Sequence, residues 1–183
     1  YPMVYLTALR CLAYQVERAL EICDDVELMY VPGNHDQISS LTLAAALKER
    51  FRNDDRVQVD LGASPRKYRF HGGTILGFEH GQKIKPDRMP LIIAQECKKE
   101  WAASTWVEFH VGHRHQRAGT KYAATTPVNG VLIRTQPALC SADAWHSEQG
   151  FIGEPRPSVE AHRYDEHGYR GTHVTWAKDD KRD

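Results

Sequence analysis

The stretch "MYVPGNHDQ", residues 29–37, decides how the rest of the chain is read. An apolar run from Val26 to Val31 has the length and composition of a buried strand, and it stops at Pro32-Gly33. Directly behind it stand Asn34, His35 and Asp36, an amide, an imidazole and a carboxylate. Gly, Asn and Asp favour turns for purely local reasons. The same groups at the carboxyl end of a strand also suit a metal or phosphate site, because ligands collect there in open α/β sheets. The surrounding sequence has to separate these readings.

Upstream, Leu9, Leu12, Val16, Leu20 and Cys23 recur at steps of three and four, which predicts a helix over Val4–Cys23. Downstream, Ser39 or Ser40 is the expected cap of a helix over Leu41–Phe51. Val57–Leu61 reads as a strand, and Lys67–Phe70 with Thr74–Phe78 as a hairpin about His71-Gly72-Gly73. A third helix is expected over Pro90–Ala103, burying Leu91, Ile92, Ala94, Cys97 and Trp101. Trp106–Val111 is then a strand that runs into Gly112-His113-Arg114-His115. Beyond it the pattern is β only: Asn129-Gly130 signals a hairpin leading into Val131–Thr135. Ser158–Tyr164 and Tyr169–Ala177 flank a second turn, "DEHG". The expectation is one α/β domain over residues 1–183, with strand–helix units first and a β-rich second half.

Composition narrows the function classes. The 24 basic and 24 acidic side chains balance, which argues against a protein that coats nucleic acid by charge alone. No apolar run approaches the roughly 18 residues of a membrane span, and no basic segment followed by an apolar one marks a signal peptide. Cys11, Cys23, Cys97 and Cys140 are widely spaced and form no CxxC pair. The first three fall in helical patterns and are expected as small core hydrophobes in a reducing, cytoplasmic setting. The chain opens on Tyr1-Pro2-Met3, so a piece of a longer protein is expected.

Three segments repeat one design, an apolar strand, a Gly or turn, and then His: "VPGNHD" at 31–36, "ILGFEHGQ" at 75–82 and "VGHRHQ" at 111–116. Imidazole binds borderline divalent metals, and an Asn carbonyl adds a harder oxygen. His113 and His115 are two apart, so on extended backbone both point to one side, with Cα atoms roughly 6.5–7 Å apart. Lys83, Lys85 and Arg88 follow His80 and read first as a solvated loop, with phosphate steering as the alternative. His71, His110, His162, His167 and His173 lack such context and are expected to be exposed or structural.

"GNHD", "EHG" and "GHRH", in this order between residues 33 and 115, closely resemble the second half of the calcineurin-like metallophosphoesterases. The stretch "CSADAWHSEQGFIGEPRP", 140–157, is more faintly similar to a phage or prophage branch. The resemblance implies a four-layer αββα sandwich, lacking its N-terminal strands, with two divalent ions (Mn preferred; Fe, Zn or Ni otherwise). It further implies Asn34, His80 and His113 as ligands of the second metal and His115 as a ligand of the first. His35 would stabilise the scissile phosphate or protonate the leaving oxygen, and Asp36 would orient His35. The implied reaction is hydrolysis of a phosphate ester, with phosphodiesters and nucleic acid as the preferred substrates.

The family's DxH and GDxxD (or GDxxE) elements do not precede residue 33. The bridging Asp and two ligands of the first metal are therefore missing, and these residues alone are expected to hydrolyse esters poorly. A non-catalytic scaffold of the same fold is the alternative. A structural zinc module ranks last, because its ligands would be Cys-rich and closely spaced.

Overall fold

Ala13 and Val16, one helical turn apart, are the buried residues of α1 (Pro2–Ala19), and Ala44 and Leu47 repeat that spacing in α2 (Gln37–Arg50). Both helices belong to the first of two compact units, Tyr1–Pro65 and Arg66–Asp183. The computed structural model describes residues 2–113, 125–139 and 157–177. It is a mixed α/β structure, and among the described residues no helix is long and apolar enough to cross a membrane.

In the first unit β1 (Val26–Met29) and β2 (Val57–Asp60) pair in parallel, Val26 opposite Val57 and Met29 opposite Asp60. α2 is the crossover between them, as a parallel pair requires. Leu12 of α1, Leu28 of β1, Leu43 and Leu47 of α2 and Val59 of β2 line an apolar cavity of about 240 Å³. Arg50 on α2 reaches Glu17 on α1 at 2.7 Å.

Two expectations shift here. α1 stops at Ala19, and Ile22 beyond it is 88% exposed, so the apolar stripe outlasts the helix. Among the described residues Cys11 and Cys23 are exposed and Cys97 is buried: the buried stripe of α1 is centred on Ala13 and Val16, and Cys23 lies past the helix end. α2 begins four residues earlier than Leu41. Asp36 is its N-cap, and its carbonyl takes the Ser40 N–H at 2.8 Å, which closes the first turn ahead of the serines. The serines sit inside that turn, with Ser39 Oγ donating to the Asp36 carbonyl at 3.1 Å.

The second unit is built on a five-stranded sheet. It comprises β3 (Arg66–His71), β4 (Thr74–Glu79), β5 (Trp106–Val111), β6 (Thr125–Val128) and β7 (Val131–Thr135), ordered β3-β4-β5-β7-β6. β4, β5 and β7 run parallel, while β3 and β6 are antiparallel edges. The hairpins about Gly72-Gly73 and Asn129-Gly130 form as the turn chemistry predicts, with Asn129 and Gly130 at φ 45° and 81°.

Side chains alternate across this sheet. Ile75, Val107, Phe109, Val111, Val131 and Ile133 face one side, where Met89, Ile93 and Cys97 complete the core. Gly77 leaves the space that the Phe109 ring fills, since a Cβ there would lie 2.6 Å from the ring.

The covering helix differs from the predicted single run over Pro90–Ala103. A 3-10 turn at Pro86–Arg88 leads into α3 (Met89–Glu96), Cys97 breaks the helix at φ −123°, and α4 (Lys98–Ala103) follows. Starting at Met89 puts Met89, Ile93 and Cys97 on the buried face, four residues apart. Leu91 is then turned outward and is 67% exposed.

The other face of the sheet is polar and is covered by the antiparallel hairpin of β8 (Ser158–Asp165) and β9 (Gly168–Trp176). Glu108 on β5 is fully buried there, accepting from Arg134 of β7, from the Tyr164 hydroxyl at 2.9 Å and from Trp106 Nε1 at 3.1 Å. His110 stacks on Phe78 with ring centroids 5.1 Å apart and bonds Tyr164 through Nε2 at 2.9 Å. The hairpin tip is tied separately, by Thr74 Oγ1 donating to the Asp165 carbonyl at 2.8 Å and Gly73 N–H to the Glu166 carbonyl at 3.0 Å.

A buried charge pair stripped of one partner costs far more than its net worth, because the survivor stays desolvated. Glu108→Ala should therefore lower unfolding free energy by about 3–5 kcal/mol, read from the urea midpoint, with a smaller loss for Glu108→Gln. Burial holds the His110 imidazole down from 6.5 to about 4. Between those values the unfolded chain carries a proton on this ring that the native chain lacks. Stability is thus fullest above about pH 6.5 and falls as pH drops toward 4, by on the order of 3 kcal/mol in all. His110→Gln should flatten that slope in urea titrations at stepped pH.

Candidate functional site

The loop behind β1 is shaped by its own carboxylate. Gly33 is buried and its N–H donates to Asp36 Oδ1 at 2.8 Å, which closes the GNHD turn directly onto the start of α2. Asn34 is half-buried, and His35 and Asp36 are exposed at the helix N-terminus. There the unpaired helical N–H groups favour negative charge. Asp36 thus holds the segment that carries Asn34 and His35, and among the described residues no hydrogen bond joins it to the His35 ring. These three residues lie in the first unit.

His80 and His113 lie in the second, just past the carboxyl ends of the neighbouring parallel strands β4 and β5. Glu79 pairs with Val111, so the two chains leave the sheet side by side. Gly81 turns away at φ 92°, where a Cβ would come within 3.0 Å of the Gly112 carbonyl. His113 itself adopts φ 64°, a left-handed conformation that costs an L-residue roughly 1–2 kcal/mol. The result is a close pair of rings: His113 Nδ1 stands 3.1 Å from His80 Nε2, with centroids 4.8 Å apart and planes at 65°.

That separation fits two chemistries. One is a hydrogen bond, with one nitrogen protonated and the other accepting. The other is shared coordination, since two nitrogens each about 2.1 Å from one ion at tetrahedral or octahedral angles lie roughly 3.0–3.4 Å apart. Among the described residues no cluster of three or more His, Cys, Asp or Glu side chains could hold a metal. His80 and His113 thus come together as a pair. His115, the remaining expected ligand, lies outside the described residues.

Two neighbours of His80 carry features that the motif reading passed over. Glu79 is 8% exposed and its Oε2 has no hydrogen-bond partner among the described residues; burial pushes its carboxyl above the ordinary range. The signal available in sequence was its place inside "FEHG", but the alternation that buries it toward the helix face is visible only in the sheet. On the other side Ile84 packs against the core while Lys83, Lys85 and Arg88 stay exposed. Ile84 pins the loop, and its three cations are exposed, with no carboxylate partner among the described residues. By contrast Arg66 pairs with Glu96 and Arg170 with Asp165.

The left-handed backbone at His113 separates fold from function. His113→Gly should leave the melting temperature unchanged or raise it, by relief of about 1 kcal/mol of backbone strain. The same variant should weaken Mn²⁺ or Zn²⁺ binding by on the order of tenfold or more in calorimetric titration, comparable to His80→Ala. A clear loss of stability without loss of metal affinity would make the pair a structural hydrogen bond.

No family model, no curated protein and no solved structure matches the chain.

Proposed function

We infer that this chain carries part of a metal-dependent phosphoester-hydrolysing site of the calcineurin-like metallophosphoesterase kind. The observation that carries the reading is the His80–His113 nitrogen pair, 3.1 Å apart at the ends of adjacent parallel strands. It is joined by the order GNHD, EHG, GHRH along the chain. Helices on one face of the second unit's sheet and a β hairpin on the other support the α, β and β layers of the proposed four-layer sandwich.

In this reading the ring nitrogens of His80 and His113 would hold one divalent ion, the ion to which the resemblance also assigns Asn34. His115 serves a second ion. Such ions supply Lewis acidity and a lowered water pKa, and Mn is preferred over Fe, Zn or Ni. His35, exposed at the start of α2, offsets charge on the scissile phosphate or hands a proton to the leaving oxygen. Asp36 keeps His35 in place by closing the turn through Gly33. Lys83, Lys85 and Arg88, exposed beyond His80, suit a run of backbone phosphates, which favours nucleic acid among the phosphodiesters.

The alternative, a scaffold without catalysis, draws on the missing DxH and GDxxD elements and on the lack of a three-ligand cluster among the described residues. The full-length gene product, assayed with Mn²⁺ on bis-p-nitrophenyl phosphate and on a single-stranded oligonucleotide, separates the two. His35→Ala should lower kcat by on the order of 10²–10⁴ with metal content unchanged. His80→Ala should lose metal and activity together. Turnover that neither substitution alters would sink the assignment, and an inert, metal-free wild type would leave the scaffold.

A further inference from the structure

The polar layer between the five-stranded sheet and the β8–β9 hairpin is more ordered than a set of paired charges. Gln136, just past β7, sits between two imidazoles: its Nε2 is 2.7 Å from His110 Nδ1, and its Oε1 is 3.3 Å from His162 Nε2. An amide nitrogen only donates and an amide oxygen only accepts. His110 must therefore accept at Nδ1 and carry its proton on Nε2, while His162 must carry a proton on its own Nε2.

The remaining bonds fall into line. His110 Nε2–H donates to the Tyr164 oxygen at 2.9 Å, and Tyr164 O–H donates to Glu108 Oε1 at 2.9 Å. On the far side Thr172 Oγ1 lies 2.6 Å from His162 Nδ1, and the Tyr169 hydroxyl lies 2.7 Å from Thr172 Oγ1. With both rings neutral every donor points the same way, Tyr169 to Thr172 to His162 to Gln136 to His110 to Tyr164 to Glu108.

We propose that this one-way hydrogen-bond chain is an acid-operated latch. Protonation of His110 reverses the Gln136 amide, removes the bond by which His162 of β8 is held to Gln136, and loosens the hairpin there while the sheet stays folded. A proton on His110 Nδ1 would face the Gln136 amide nitrogen, donor against donor. Turning the amide over satisfies His110 but aims an N–H at His162 Nε2–H. The mismatch then passes along the hairpin: a proton moved to His162 Nδ1 would oppose the Thr172 hydroxyl hydrogen, and turning that hydroxyl would oppose the Tyr169 O–H.

The groups around His110 determine whether the proton is held off. From β5 it faces Glu108, and from β7 Arg134, which is already engaged with Glu108. From β8 come Tyr164 and His162, the latter with Glu160 Oε2 at 3.4 Å from its Nε2. From β9 come Tyr169, lying under the Arg134 guanidinium at 4.7 Å, and Thr172. From β4 comes the uncharged Phe78 ring, with Lys67 of β3 buried on the same face beyond it. Glu108 attracts the proton; burial, His162 and Arg134 oppose it, so the ring stays neutral until the medium is distinctly acidic. The two ties from the hairpin tip to the sheet do not titrate, because Thr74 and Gly73 donate to backbone carbonyls. Acid should therefore open the middle of the hairpin and leave its tip tethered.

The test uses the unmodified chain first. Long-range ¹H–¹⁵N spectra at pH 7 should report both His110 and His162 as neutral Nε2–H tautomers. Between pH 7 and pH 4 the two rings should change state in one concerted step. Amide exchange at residues 159–164, corrected for the intrinsic chemical rate, should accelerate at least tenfold over that range while residues 107–111 keep their protection. Gln136→Glu places an acceptor before both rings, so both should titrate at higher pH with the hairpin still protected. An Nδ1–H tautomer on either ring at pH 7 would overturn the proposal. So would two separate titrations, or loss of protection in β5 in parallel with β8.

Discussion

The alternation of β5 is the constraint from which the second unit follows. Six residues, Trp106 to Val111, send Val107, Phe109 and Val111 to the helix face and Trp106, Glu108 and His110 to the hairpin face. The first set makes an apolar core with α3, and the second makes a buried polar layer with β8. A one-residue slip of this strand would exchange the two sets and strand a glutamate and a histidine in the hydrophobic core. The parallel pairing of Glu79 with Val111 fixes its register against β4. It thereby also decides that His80 and His113 emerge next to each other.

The two faces stabilise in different ways. On the helix face, burial of Phe109, Ile93 and Met89 acts without direction, and packing tolerates modest change of shape. On the hairpin face the stabilisation is conditional. Glu108, Arg134, His110 and Tyr164 contribute only while each donor meets its acceptor, since an unpaired buried group costs the full desolvation penalty. A layer of that kind specifies one arrangement of the hairpin more sharply than an apolar layer would, and it ties the arrangement to protonation state.

The GNHD loop and the His80–His113 pair share a construction. In each, a strand ends, a tight backbone turn follows, and side chains with lone pairs are left at the turn. Asp36 closes one turn through the Gly33 N–H, and Gly81 with the left-handed His113 closes the other. The left-handed backbone at His113 stores strain that the neighbouring strands have to hold.

By itself the sequence determined the elements whose cause is local. The strand Trp106–Val111, the Asn129-Gly130 and Gly72-Gly73 turns, and the β1–α2–β2 order all follow from periodicity and turn chemistry, which act over a few residues. The same local signals located His80 and His113 at strand ends. Helix limits were less legible. Whether Asp36 or Ser39 caps α2 depends on which carbonyl closes the first turn, and the outward turn of Leu91 depends on α3 starting at Met89. The exposure of Cys11 likewise depends on which stripe of α1 meets α2 and the β1–β2 pair, and that of Cys23 on where α1 stops. His110 and His162 were invisible as partners, being 52 residues apart on different strands with no motif to join them. Their linkage through Gln136 exists only because β7 and β8 are brought against β5, and donor–acceptor matching across three strands is a property of tertiary packing.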